Sequence, residues 1–392
     1  MALLVQKFGG TSVGSIERIE AVAERVIQTR QLGHKVVVVL SAMSGETNRL
    51  LGLAKQIDEV PTPRELDVLL TAGEQVSIAL LAMALNKRGF NAVSMTADQV
   101  TIRTDNAFNN ANIISIDTDK LESQLDQGKI VVVAGFQGRD SDNNITTLGR
   151  GGSDTTAVAV AGALKADECQ IFTDVDGVYT TDPRIVPAAL RLPEIHFDHM
   201  QTMAACGAKV LQLQSVEYAQ MHQVPLRVLS SFEDGEGTLV TFNTQYSSQV
   251  VGIAVQRSQA LIEIAQSMDA LQQQLELFGL RFWMVANTAQ SAQIVVAIDD
   301  LPRLRLVFDN KMRHISDVAT LSMVGDNVMT VTDAVTTALN NTNIQVHHNK
   351  QITDCVSLLI DETDHQVAME TIHRDFVNSQ EILGNPSLLA VS

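Results

Sequence analysis

Short apolar runs rich in β-branched residues alternate, through the first part of the chain, with longer stretches of helical period. The runs are Leu3 to Phe8, Val36 to Met43, Ala92 to Met95, Ile130 to Phe136, Gln170 to Thr173 and Leu226 to Leu229, and their length and composition predict buried strands. Ser15 stands where it can cap a helix whose apolar stripe is Ile16, Ile19, Val22 and Val26. A second helical stretch runs from Arg64 to Gly89, a residue suited to follow a helix end. Strands alternating with helices predict an α/β fold, an open and mostly parallel sheet between helix layers. Such sheets bind ligands at the carboxyl ends of their strands.

The alternation stops near Gly235-Glu236-Gly237. One more strand, Thr238 to Phe242, precedes a polar stretch without period, Asn243 to Gln249. This predicts a first domain over residues 1–244 and a second region over 245–392. In that region the apolar runs Val251 to Val255, Ala260 to Ala265, Ala292 to Ile298, Thr320 to Val324 and Cys355 to Ile360 are spaced by helical stretches at Met268 to Phe278, Thr330 to Leu339 and His365 to Phe376. The pattern fits two small α+β units of βαββαβ type, at about 250–315 and 316–392.

Charge narrows the function classes. Lys and Arg number 28 against 45 Asp and Glu, a formal net charge of -17, which disfavours a general grip on nucleic-acid phosphates. No run of 18 apolar residues suggests a membrane span. The three cysteines, Cys169, Cys206 and Cys355, form no CxxC pair, so neither a disulfide framework nor a zinc site is indicated, and a reducing, cytoplasmic location fits. His196 and His199 with Asp198 lack a third ligand motif nearby. The acidic stretches around Asp140 and Asp174 lack the later residues of a calcium loop, so no protein metal site is expected.

The candidate chemistry sits in loops that follow strands. In Lys7-Phe8-Gly9-Gly10-Thr11-Ser12-Val13-Gly14-Ser15 a strand ends in a lysine, glycines follow and a helix begins. Glycines let backbone approach an anion, helix-start N–H groups point at it, and the lysine adds full charge. A plain strand-to-helix turn is the simpler alternative. A second glycine loop, Gly149-Arg150-Gly151-Gly152-Ser153-Asp154, precedes the apolar helix Ala157 to Leu164; it offers bidentate carboxylate recognition beside a helix N-terminus, with Asp154 open to a bare N-cap role. Two anion cradles in one parallel-sheet domain suggest transfer between a nucleotide and a second anionic substrate. Thr173-Asp174-Val175-Asp176-Gly177-Val178-Tyr179, continuing to Arg184, could wrap a nucleotide or be a surface turn. Ser41 to Asn48 brings hydroxyls to a strand end, Thr71-Ala72-Gly73-Glu74 interrupts a helix that Glu74 restarts, and Lys209 is a further phosphate candidate.

Taken together, Lys7 to Ser12, Ser41 to Gly45, Thr71 to Glu74, Gly135-Phe136-Gln137-Gly138, Thr147 to Asp154 and Thr173 to Tyr179 resemble, in type and order, the motif set of aspartokinases. The resemblance runs from about Leu3 to Phe242. It implies an amino-acid-kinase fold that transfers phosphate from ATP to the side-chain carboxylate of L-aspartate, giving 4-phospho-L-aspartate at the start of lysine, threonine and methionine biosynthesis. Lys7 and Asp154 would be the catalytic pair. Ser41, Thr47, Glu74, Arg150, Gly151, Gly152 and Ser153 would hold the amino acid. Lys7, Gly9, Gly10, Thr11, Ser12, Thr173, Asp174, Tyr179, Arg184 and Lys209 would serve the nucleotide, with Mg²⁺ entering through the ATP phosphates.

The tail resembles the paired ACT domains of the same family, which implies a homodimer or higher oligomer through that region. The loops Gln266-Ser267-Met268-Asp269 and Asp326-Asn327-Val328-Met329 lack the Pro-Gly of the family's effector loops, so no effector is assigned. The rival readings are another acyl-phosphate-forming kinase, acting on glutamate or acetylglutamate, and a non-catalytic amino-acid sensor.

Overall fold

A computed structural model describes residues 1–244, 248–277 and 279–377. Positions 378–392, the end of the expected second small unit, lie outside the described residues, as do Phe278 and part of the expected linker. The chain divides into two compact units. One comprises Met1–Val178, Pro193–Gln201 and Lys209–Thr244; the other comprises Tyr179–Leu192, Thr202–Ala208 and the described residues after Thr244.

The first unit is built on an eight-stranded sheet. Its strands run, edge to edge, Glu194–His196, Thr238–Thr241, Leu226–Ser230, Glu168–Thr173, Leu3–Phe8, Lys35–Leu40, Ile130–Ala134 and Ala92–Met95. Every neighbouring pair is parallel except Leu226–Ser230 with Thr238–Thr241. Strands covered on both faces need apolar residues at every position, and Val36 to Leu40 and Ile130 to Ala134 are all buried. On one face the helix Ile16–Gln31 packs Ile19, Val22, Ala23 and Val26 against Val36, Val38 and Leu40, joined by Ile78, Leu81 and Leu85 of the helix Ala72–Lys87. Each such buried Val, Ile or Leu side chain contributes about 1.5–3 kcal/mol. Ser15 caps the first helix as its position predicts, accepting the Arg18 N–H at 3.3 Å. The helix Gly152–Ala163 lies against the strands Leu3–Phe8, Lys35–Leu40 and Glu168–Thr173.

The stretch from Arg64 forms two helices, Pro63–Leu70 and Ala72–Lys87, broken at Thr71, so Glu74 stands in the first turn of the second. A four-stranded sheet that the apolar pattern does not signal carries the strands Ile113–Ile116, Ile102–Thr104, Gln137–Arg139 and Ile145–Thr147. Its strands are three or four residues long, too short to show a period.

The second unit holds a six-stranded antiparallel sheet in the order Trp283–Asn287, Ala292–Ala297, Gly252–Ile264, Met312–Val324, Cys355–Asp361, His348–Ile352. The runs Val251 to Val255 and Ala260 to Ala265, expected as separate strands, are halves of one strand with a register shift between Gln256 and Gln259. Ser258 has a φ of 58° there, and Glu362 receives the Arg257 guanidinium and the Ser258 N–H. Ile253 packs in a core with Leu321, Met323, Val335, Leu358 and Ile372, whereas Ile262 and Ile264 pack with Leu271, Leu275, Ile294 and Phe308. The expected division near 315–316 falls inside the strand Met312–Val324. The helix Leu301–Phe308, with only Leu304 and Phe308 buried, is missed because it is barely two turns long and its exposed Leu306 and Val307 blur the buried stripe.

Candidate active site

A cavity of about 430 Å³ opens at the carboxyl ends of the central strands of the first unit. The expected residues Lys7, Gly10, Thr11, Ser41, Thr47, Glu74, Arg150, Gly151, Gly152, Ser153 and Asp154 all line it. They come from four separate parts of the chain: the loops after the parallel strands Leu3–Phe8 and Lys35–Leu40, the first turn of the helix Ala72–Lys87, and the loop between the strand Ile145–Thr147 and the helix Gly152–Ala163.

Lys7 leaves the end of its strand and meets Asp154 at 2.8 Å between Nζ and Oδ1, both side chains being largely buried. Asp154 belongs to the first turn of the helix Gly152–Ala163, whose N-cap is Gly151, so the alternative of Asp154 as a bare N-cap does not hold. The helix start turns the positive end of its dipole to the cavity.

The glycines of these loops have steric work. A Cβ at Gly10 would approach the Ala42 carbonyl oxygen at 3.0 Å, so any larger residue would press the two strand-end loops apart. Gly151 has a φ of +75°, and a Cβ there would meet Gln212 at 2.3 Å.

Glu74 is the most perturbed group of the site. It is 3% exposed, its Oε1 accepts the Ala42 N–H at 3.0 Å, and its Oε2 has no protein partner. Burial raises its pKa to about 7, against the smaller lowering effect of the Ala42 N–H. Gly73 makes the approach possible, since its own position would bring a Cβ to 2.8 Å from the Ala42 Cβ. Ser77 Oγ donates to the Ser41 carbonyl at 2.8 Å, tying the same helix to the same loop. Arg150, by contrast, is exposed at the mouth.

The remaining predicted residues lie off the cavity wall. Ser12 is buried 2.6 Å from the Ser231 hydroxyl, and Arg18 donates to the Ser231 carbonyl at 2.6 Å, so Ser12 anchors the glycine loop. Gly9 sits close behind, where a Cβ would lie 3.4 Å from Lys7 Nζ. Thr173 ends the strand Glu168–Thr173 in the first unit and Asp174 follows it, with the Thr173 hydroxyl donating to Asp174 at 3.2 Å. Lys209 is exposed where the last segment of that unit begins. Tyr179 and Arg184 belong to the second unit; Tyr179 pairs with Arg191 in a β-bridge, and Arg184 makes a two-pronged ion pair with Asp182. Among the described residues no group of three His, Cys, Asp or Glu side chains could hold a metal ion.

Sequence reasoning missed Asp67. Its carboxylate, fully buried on the helix Pro63–Leu70, accepts the N–H groups of Asn109 and Thr147 and the Thr147 hydroxyl at 2.6 Å. Burial pushes its pKa up, and those hydrogen bonds pull it back. Thr147 lies three residues before Arg150, and the Asn110 side chain would lie 2.7 Å from a Cβ at Gly149, so Asp67 braces the base of the Gly149–Ser153 loop. The signal available was an aspartate one helical turn before the buried Leu70 on an otherwise apolar face. Phe136 and the Ala42 backbone also line the cavity.

Two loops at parallel strand ends, a buried lysine–aspartate pair and an unsatisfied carboxylate define an α/β domain with an anion-handling site. The model of the amino acid kinase family matches residues 2–230. Aspartate kinase from Pseudomonas putida is 62% identical over 267 residues, covering 67% of this chain and 65% of that protein. Aspartokinase from Geobacillus stearothermophilus is 42% identical over 401 residues, covering 97% of this chain and 98% of that protein. The chain thus spans 65% of the length of its Pseudomonas putida relative. Among solved structures, E. coli aspartokinase III in complex with aspartate and ADP superposes with a TM-score of 0.78 at 25% identity, over 95% of this chain and 99% of that one. The chain belongs to the amino acid kinase family and, within it, to the aspartokinases. Its fold is the amino-acid-kinase α/β fold followed by ACT-type α+β structure.

Proposed function

We propose that the protein is an aspartate kinase that transfers the terminal phosphoryl group of ATP to the side-chain carboxylate of L-aspartate. The observation that carries this is the buried Glu74 Oε2, a carboxylate oxygen without a protein partner in the same cavity as the Lys7–Asp154 pair and Arg150. An amino acid satisfies all three. Its ammonium pairs with Glu74, its α-carboxylate with the Arg150 guanidinium, and its side-chain carboxylate is left pointing at Lys7. The E. coli relative that this fold matches holds aspartate and ADP.

The nucleophile needs no general base, because an aspartate carboxylate with a free pKa of ~3.9 is ionised at neutral pH. The difficulty is bringing one anion up to another. Lys7, held in place by Asp154, meets the phosphate charge, and backbone N–H groups of the Gly9–Ser12 loop and of Gly151–Ser153 add fixed positive ends. The glycine crowding at Gly10 leaves backbone, not side chain, facing the nucleotide phosphates. Mg²⁺ travels with ATP and neutralises phosphate charge. Ser41 and Thr47 border the amino acid, while Thr173, Asp174, Tyr179, Arg184 and Lys209 belong to the nucleotide side of this reading. A homodimer or higher oligomer through the six-stranded sheet, and a cytoplasmic location, go with it.

Purified protein with ATP, Mg²⁺ and hydroxylamine tests the assignment. Acyl hydroxamate is expected with aspartate and not with glutamate or acetylglutamate. Turnover of either of those two in preference to aspartate, or of none of the three, overturns it. Sedimentation of the same sample checks the oligomer.

A further inference from the structure

Two of the three cysteines, 149 residues apart in sequence, meet in the second compact unit. Cys206 follows the helix Phe197–Ala205, Cys355 opens the strand Cys355–Asp361, and their Sγ atoms are 3.6 Å apart as free thiols. Cys206 is partly exposed, Cys355 is 3% exposed, and Cys169 is fully buried elsewhere. The backbone around Cys206 is held on the sheet. Gln256 Nε2 donates to the Ala205 carbonyl at 3.1 Å, and Gly207, at a φ of +101°, lies so close to the strand that a Cβ would stand 3.0 Å from the Val255 carbonyl oxygen. The Ser357 hydroxyl lies 3.6 Å from the Cys355 sulfur.

We propose that Cys206 and Cys355 are a redox modification site, closing to an intramolecular disulfide in the presence of a peroxide and reopening with a dithiol. The sulfurs need only close to a bond of about 2.05 Å, a movement within reach of side-chain rotation and a small backbone adjustment.

The order of events follows from the two environments. The Cys206 pKa is lowered to about 7, first by the hydrogen bond from Cys355, with Ser322 and the charge of Lys350 assisting. The Cys355 thiol is pushed up by its hydrogen bond to Cys206 and by burial. Cys206 is therefore the attacking thiolate. It takes one oxygen of hydrogen peroxide, the O–O bond breaks, hydroxide leaves and a sulfenic acid forms. Cys355 then loses its thiol proton and attacks that sulfur; the S–S bond forms, the S–O bond breaks and the second oxygen leaves as water. Two thiols have lost two electrons and two protons, and the peroxide has become two waters. In a reducing compartment such a bond is transient and regulatory rather than structural.

The chain crosses from the first unit to the second after Gln201 and returns at Lys209, so the bond ties the crossing segment to the Cys355 strand. Lys209 starts three residues after Cys206. On the reading of Lys209 as a nucleotide residue, oxidation changes the ATP KM and leaves the aspartate KM.

Wild-type protein is treated with hydrogen peroxide, alkylated and digested without reductant. The expected result is a fall from three free thiols to one per chain, a peptide containing Cys206 joined to one containing Cys355, and three thiols again after dithiothreitol. Cys355→Ser should stop at a sulfenic acid on Cys206, trapped by dimedone, and Cys206→Ser should keep both its thiols on that timescale. Three free thiols after treatment, a bridge through Cys169 or between chains, or overoxidised Cys206 beside free Cys355 overturns the site. A complete bridge with an unchanged ATP KM overturns the regulatory consequence alone, and the hydroxamate assay reports separately on the kinase reading.

Discussion

Replacing Glu74 by glutamine keeps the side chain's shape and removes its charge, and the burial of this residue makes the two consequences separable. The Gln Oε1 can still accept the Ala42 N–H that Glu74 accepts at 3.0 Å, while the new amide NH₂ takes the place of Oε2 on the cavity side. In the ligand-free protein the folded carboxyl titrates at about 7 in place of its ordinary 4.5. The native state therefore keeps a proton that the unfolded chain has released, and stability falls as pH rises across that window. At about 1.36 kcal/mol per pH unit the loss reaches about 3 kcal/mol above the folded pKa. Glutamine does not titrate, so Glu74→Gln should be more stable than wild type by up to about 3 kcal/mol at about pH 8 and near parity at about pH 4.5. The aspartate KM should move the other way. Loss of a charged partner for the ammonium costs about 1.5–3 kcal/mol, on the order of ten- to a hundredfold. Wild-type KM should itself fall as pH rises through about 7, a trend the variant lacks. Urea unfolding at the two pH values and initial rates across the range measure both. A variant less stable than wild type at about pH 8, or an equal stability difference at both pH values, refutes the burial argument.

Lys7→Ala should lower turnover by about a hundredfold or more while the protein stays folded, read by kcat and circular dichroism; near-normal kcat removes Lys7 from catalysis. Arg150→Ala should raise the aspartate KM by roughly ten- to a hundredfold with little change in unfolding temperature, because the side chain is exposed. Arg150→Lys should recover only part of that affinity, since an ammonium cannot make a two-pronged contact with a carboxylate. Asp67→Ala leaves the Asn109 and Thr147 N–H groups without their acceptor, so a loss of about 2–4 kcal/mol in urea unfolding is expected. An unchanged midpoint would show that the Gly149–Ser153 loop does not depend on Asp67.

Much of the first unit was legible because its information is local. A strand buried on both faces must be apolar throughout, so the runs at Leu3, Val36 and Ile130 announced themselves. The glycine loops did so too, because close backbone approach and positive φ leave few other residues possible. The residues of the Lys7, Ser41, Glu74 and Gly149 segments were each suspected from their own neighbourhoods, and all contribute to one cavity wall. The sequence was less informative where a residue's role depends on what faces it. Arg184, expected at the phosphates, also pairs with Asp182, a partner that the acidic stretch around it did not single out. Ser12, expected in the phosphate cradle, has its buried hydroxyl on that of Ser231, a residue 219 positions away. The short strands of the four-stranded sheet and the eight-residue helix Leu301–Phe308 span too few residues to show a period.

The sequence by itself determined that this chain folds as an α/β amino-acid-kinase domain with an α+β tail, and singled out loops that meet at one cavity, because helix caps, glycine turns and buried strands are specified within a few residues. Tertiary structure alone decided that Glu74 lies against the Ala42 N–H with one oxygen unsatisfied, that Asp67 braces the loop before Arg150, and that Cys206 faces Cys355. Each of those depends on strand order and helix placement bringing together residues 32, 80 or 149 positions apart. No local pattern encodes such a distance, and both the burial that sets the charge state of Glu74 and the Cys355 contact that lowers the Cys206 pKa exist only once the chain has packed.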